Sequence, residues 1–142
     1  MSKFKTIFAP VLLVLVSILS IQGFSSCSSK EARLEKAVKE LNAQLPMKLS
    51  NEFTMQKIAL DGNALVYEIK CNEHFIDMDL IEQSKEELKQ NSLAQLKSEL
   101  KTNKDFASLL DYCKEKDINV VYRYKGSSSK KAVDIVISPN EI

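Results

Sequence analysis

Glycine is scarce in this chain, three residues in 142, and none stands in a Gly-x-Gly or Gly-x-Ser-x-Gly spacing. The sequence therefore holds no loop of the kind that cradles phosphate and no strained turn that would present a nucleophilic serine. Histidine is scarcer still. His74 is the one imidazole, and so the one candidate for a side-chain base titrating near neutral pH. Charge of one sign is also missing: 20 basic residues stand against 19 acidic ones, a net of +1. Nucleic acid is not an expected partner, because a binding domain of that kind carries a basic patch. Three cysteines are too few for a disulfide-dense miniprotein, while 44% hydrophobic and 27% charged residues exclude long disorder.

One absence is local. No acidic residue precedes Cys27, whereas Lys3 and Lys5 do, so the rest of the chain carries 18 basic against 19 acidic groups. After Met1–Thr6 comes the apolar run Ile7–Ile21, then Gln22-Gly23-Phe24-Ser25-Ser26-Cys27. A charged start, an apolar stretch of about 15 residues and a small-residue end are the parts of a secretory signal. A spanning helix wants about 20 apolar residues, and Pro10 sits early in the run. Phe24-Ser25-Ser26-Cys27 resembles the lipobox of bacterial lipoproteins, with Phe24 where an aliphatic residue is usual. That resemblance implies a signal peptide over 1–26, a diacylglycerol-modified Cys27 as the first mature residue, and a short tether over 27–29. A plain secretory signal and a retained anchor are the alternatives.

The body, 30–142, reads as a single α+β domain. Leu34, Val38, Leu41 and Leu45 form one stripe of an amphipathic helix that Pro46 stops. Phe53–Leu60 and Leu65–Cys71 flank Asp61-Gly62-Asn63, a hairpin signal. Asp77 or Asp79 is expected to open a long polar helix to about Leu100, with a bend near Gln90–Ser92 where the apolar stripe thins. A second helix spans Asn103–Lys116, and Ile118–Lys125 with Lys131–Ser138 forms another hairpin around Gly126–Ser129. The expected order is α-β-β-α-α-β-β. Period-two alternation points to four antiparallel strands with helices on one face and water on the other.

Leu41 through Leu45-Pro46, the tyrosine strands, the cysteine-bearing helix, Val121-Tyr122-Arg123-Tyr124 and Ile137-Ser138-Pro139 are similar to a small family of exported bacterial proteins. The resemblance implies location and fold, and it brings no activity. With Cys27 assigned to lipid, Cys71 and Cys113 remain as a pair in an exported domain, where disulfides persist. Their bridge, closing a loop of about 43 residues, is expected to contribute roughly 3–4 kcal/mol. Two reduced core cysteines are the alternative.

Cys71-Asn72-Glu73-His74 gathers three ligand types, but a structural zinc site needs four ligands and the chain offers no second Cys/His pair. Neither metal nor cofactor is expected. The carboxylate pairs Asp77/Asp79 and Glu86/Glu87 suit helix capping and helix surface rather than acid–base work. What remains is a surface. The outward strand positions include Lys70, Val121, Arg123 and Lys125, the candidate binding face for an envelope protein or peptide. The expectation is a membrane-anchored envelope lipoprotein that binds without catalysing, at the outer side of the inner membrane or at the outer membrane. The rivals are an inhibitor or regulator of another exported enzyme, docking through the Asp61-Gly62-Asn63 and Gly126–Ser129 tips, and a hydrolase or thiol enzyme using His74.

Overall fold

The computed structural model describes residues 30–142; the apolar run, the lipobox-like stretch and Cys27 lie outside the described residues. The elements are α1 (Lys30–Asn42), β1 (Met47–Lys48), β2 (Phe53–Asp61), β3 (Ala64–Cys71), α2 (Met78–Gln83), α3 (Lys85–Thr102), α4 (Lys104–Lys116), β4 (Asn119–Gly126) and β5 (Ala132–Ile137), closed by a 3-10 turn at Pro139–Glu141. The strands form one five-stranded sheet in sequence order, with the helices on one face. The class is α+β, as expected. The expected all-antiparallel arrangement of four strands is corrected in two respects.

First, β3 and β4 run parallel, from Ala64 opposite Asn119 to Cys71 opposite Gly126. The remaining pairs are antiparallel. Alternation of polar and apolar residues reports which face is wet, and it is blind to strand direction. Direction is set by the connection: α2, α3 and α4 span the 72–118 link, and a crossover of that length returns the chain to the end of the sheet where β3 began. Second, a two-residue strand, β1, adds to the outside of β2 through Met47 opposite Met55 and Lys48 opposite Thr54.

Local chemistry explains the element ends. Gly62 has φ +59° in the two-residue turn between β2 and β3, a left-handed conformation that costs glycine nothing. A bulge at Gln56 shifts the register between Met55 and Lys57. That one extra residue lets Phe53, Met55 and Ile58 all face the core. Asp77 caps α2 by accepting from the Asp79 amide at 2.9 Å, and Asn103 caps α4 by accepting from the Phe106 amide at 3.0 Å. The expected bend near Gln90–Ser92 is corrected: those residues are helical, and the break falls at Ser84, between α2 and α3. Ser92 keeps the helix intact although it is buried, because its hydroxyl donates to the Leu88 carbonyl at 2.9 Å.

The core lies between the sheet and the helices. Tyr67, Tyr122 and Tyr124 are fully buried on the inner face. Tyr67 and Tyr122 stand 5.4 Å apart between ring centroids, and Phe53 meets Tyr124 edge-on at 6.0 Å. The Tyr67 hydroxyl has no hydrogen-bond partner in this apolar setting. An unmet buried hydroxyl carries its desolvation cost uncompensated. Tyr67→Phe is therefore expected to raise unfolding stability by about 1 kcal/mol. Urea midpoints of the two proteins check this, and a lower midpoint for the variant would refute it.

Candidate interaction surfaces

The strand register arranges the outward face of the sheet into cross-strand rows. Lys57, Glu68, Arg123 and Asp134 stand opposite one another along one row, alternating in sign. Arg123 makes a forked pair with Asp134, at 2.9 and 3.1 Å, and the Lys125 ammonium lies 3.5 Å from Glu68. The next row is apolar: Ala59, Val66, Val121 and Val136. Directly opposite pairs such as these are the unit of sheet stabilisation.

All four residues of the candidate binding face are on this outward side. Lys70 and Lys125 are exposed and Arg123 is half-buried, its guanidinium committed to Asp134. Val121 differs. It is only 6% exposed, enclosed by its neighbours in the apolar row, so it props the face rather than offering a contact. The apolar row opens most at Val136, which is 45% exposed at the end of the sheet, while Ala59 at its other end is half-buried.

Cys71 and Cys113 are both free and buried. The expected bridge is absent, and the parallel crossover gives the reason. Cys71 ends β3, whereas Cys113 lies in the last turn of α4, just before β4 begins at the level where β3 starts. A β3 of this length spans roughly 23 Å, against the ~4.4–6.8 Å between α-carbons that a disulfide requires. Burial pushes the Cys71 thiol up to about 12, with the Glu73 carboxylate adding to it, and burial pushes Cys113 up to about 11.

The same geometry separates the two hairpin tips. Asn63 sits at the Asn119 end and Gly126 at the Cys71 end, so Asp61-Gly62-Asn63 and Gly126–Ser129 are not one surface. The second tip is also occupied. The Glu73 carboxylate accepts from the Ser128 amide at 2.9 Å, the Ser129 amide at 2.8 Å, the Ser129 hydroxyl at 2.5 Å and the Ser128 hydroxyl. A Cβ at Gly126 would meet the Glu73 carboxylate and the Ser129 hydroxyl, so a side chain there would displace this arrangement. Nothing in the sequence reading paired Glu73 with this turn; the run of three serines after Gly126, a row of donors without an acceptor, was the available signal. Among the described residues no cluster of three or more metal-ligating groups forms. Asp77 and Asp79 serve as helix cap and as partner of Lys131 at 2.7 Å, and Glu86 accepts from Gln90 at 3.0 Å. His74 is exposed on the loop after β3, its amide held by Asn72.

The Asn42 amide side chain at the end of α1 holds Ile58, midway along β2. Desolvation pushes the Tyr112 hydroxyl, near the end of α4, above its usual range, and the carboxylates of Glu31 and Glu35 in the first turns of α1 add to the shift. No helix among the described residues is long and apolar enough to cross a membrane.

No protein-family profile matches the chain, and no curated protein matches it in sequence. Solved structures share its fold. A protein of Pseudomonas aeruginosa described as secreted has a TM-score of 0.58 at 15% identity, over 82% of this chain and 98% of that one. The type II secretion system pilotin AspS of Vibrio cholerae has a TM-score of 0.50 at 13% identity, over 80% of this chain and 92% of that one. The Vibrio vulnificus pilotin EpsS gives 0.47 at 12% identity, over 79% and 94%.

Two outcomes follow from the geometry. The hydrogen bonds from Ser128 and Ser129 hold the Glu73 carboxyl down at about 2 from 4.5. A depressed carboxyl contributes stability that is fully present above its unfolded value and is lost as pH falls through the folded one. Glu73→Gln should thus flatten the pH dependence of the urea midpoint between about pH 4.5 and pH 2; an unchanged slope would show the latch to be energetically idle. Cys71 and Cys113 should resist alkylation in the folded protein and both react on unfolding without a reductant, read by peptide mass. Alkylation that requires prior reduction would restore the bridge.

Proposed function

We propose that the chain is an envelope lipoprotein, processed before Cys27 and anchored through a lipid on that residue, whose 30–142 domain acts by binding another envelope protein. The observation that carries this reading is the junction of the lipobox-like Phe24-Ser25-Ser26-Cys27 with a domain whose first helix begins at Lys30. A fold shared with a secreted protein and with the AspS pilotin of a type II secretion system supports it. The side chains once weighed for catalysis each have a structural partner or stand alone: Glu73 is in its serine cradle, Cys71 and Cys113 are buried and raised, and His74 is on a loop. Several acyl chains on Cys27 would hold the domain at a membrane, since each buried methylene contributes about 0.8 kcal/mol.

Intact mass of the membrane-extracted protein, wild type beside Cys27→Ser, tests the anchor. The expected result is loss of residues 1–26 plus a lipid mass in the wild type, with neither in the variant. A full-length or unlipidated wild-type chain would overturn the reading.

A further inference from the structure

The two edges of the sheet are treated differently. The β2 edge carries three devices that block strand pairing: the short strand β1, the bulge at Gln56, and the Asn42 amide. That amide accepts from the Ile58 N–H at 2.9 Å and donates to the Ile58 carbonyl at 2.5 Å, standing in for a neighbouring strand. Folded proteins protect edges in such ways because unpaired peptide groups recruit other chains. The β5 edge has none of them. Ala132–Ile137 holds unbroken register with β4, contains no proline and no bulge, and among the described residues no strand lies on its other side. Alternate peptide groups of such a strand point away from the sheet. Alongside it runs an open groove of about 510 Å³ between β5 and the junction of α2 with α3, lined by Glu82, Lys85, Glu86, Lys89, Asp134 and Val136.

We propose that the β5 edge is a strand-addition site for an extended segment of a partner protein bearing an apolar residue and, two positions on, a lysine or arginine. The partner chemistry follows from the outward rows, which end unfinished at this edge. The charge row alternates Lys57, Glu68, Arg123, Asp134, so its next member opposite Asp134 is basic. The apolar row ends at the 45% exposed Val136, so its next member is apolar. An added antiparallel strand meets Val136 before Asp134, which sets the order apolar-x-basic. Pairing of β5 with the β5 of a second copy does not supply it, because that strand reads Ala-Val-Asp-Ile-Val-Ile without a basic residue. This inference rests on the reading of the domain as a binding module and names the site and the ligand class.

The test uses a capped, fluorescent peptide Thr-Thr-Val-Thr-Lys-Thr-Val-Thr against the full chain, with amide hydrogen exchange alongside. Saturable binding is expected, with new protection confined to the β5 amides. The same peptide with glutamate for lysine should bind about tenfold more weakly, as opposite charges give way to like ones. N-methylation of alternate peptide amides should abolish binding. Asp134→Asn, which preserves the side-chain shape, should erase the preference for lysine over glutamate. No saturable binding at millimolar peptide, protection elsewhere, or equal affinity for both peptides would overturn the proposal. So would self-association that protects β5 without peptide, which would make a second copy the occupant. The anchor is read separately by intact mass, so failure at the edge and failure of the lipoprotein reading are told apart.

Discussion

The parallel pairing of β3 with β4 is the constraint from which most other features of this domain follow. Two adjacent parallel strands cannot be joined by a turn, so the chain must travel the length of the sheet and return. Here it does so through α2, α3 and α4, all on the side that buries Tyr67, Tyr122 and Tyr124. One crossover therefore creates the core and also leaves the opposite face to water. It places the cysteines at opposite ends, so that each is a buried thiol rather than half of a bridge. It sends the two hairpin turns to opposite ends as well, one beside Asn119 at the start of β4 and one against Glu73.

A wet sheet face of this kind has to be stable without a covering layer. The alternating row Lys57, Glu68, Arg123, Asp134 and the valine row beside it meet that need by pairing along the hydrogen-bonding direction. The individual ion pairs lie near the surface, where each contributes roughly 0–1 kcal/mol. Their value lies in register: a slip by one residue would turn these side chains into the core. The bulge at Gln56 shows the same pressure from the other direction. Without it, Ile58 would face water while Phe53 and Met55 faced the core.

The legible part of the fold was what periodicity encodes. The α1 stripe, the inward residues of β3, β4 and β5, the outward set around Arg123 and the turn at Gly62 all stand where residue spacing places them. What spacing does not encode was missed. Strand direction depends on where a long connection lands, so alternation alone implies an all-antiparallel sheet and leaves the separation of Cys71 and Cys113 unset. The thin stripe around Gln90–Ser92 suggested a bend because a buried serine looks polar, while its back-bond to Leu88 is invisible in sequence. The four residues of the candidate face share the outward side of the sheet, yet Val121 is enclosed, since exposure depends on all four strands of its row. The Asn42 and Glu73 contacts join residues 16 and more than 50 positions apart, beyond the reach of any local pattern.

Those two long-range contacts bear on how an edge can serve as a binding site at all. A strand that must be ordered before it accepts a partner loses affinity to the cost of ordering. The turn leading into β5 is held in advance, by the Gly126 amide on the Lys131 carbonyl at 3.0 Å, by the serine cradle of Glu73, and by the Lys131–Asp79 pair at 2.7 Å. The far end of β5 is fastened by the Ser138–Glu141 capping box and the Lys89–Glu141 pair at 3.1 Å. The bare edge is thus a rigid one, tied down at both ends, while the edge that Asn42 seals is closed to any strand.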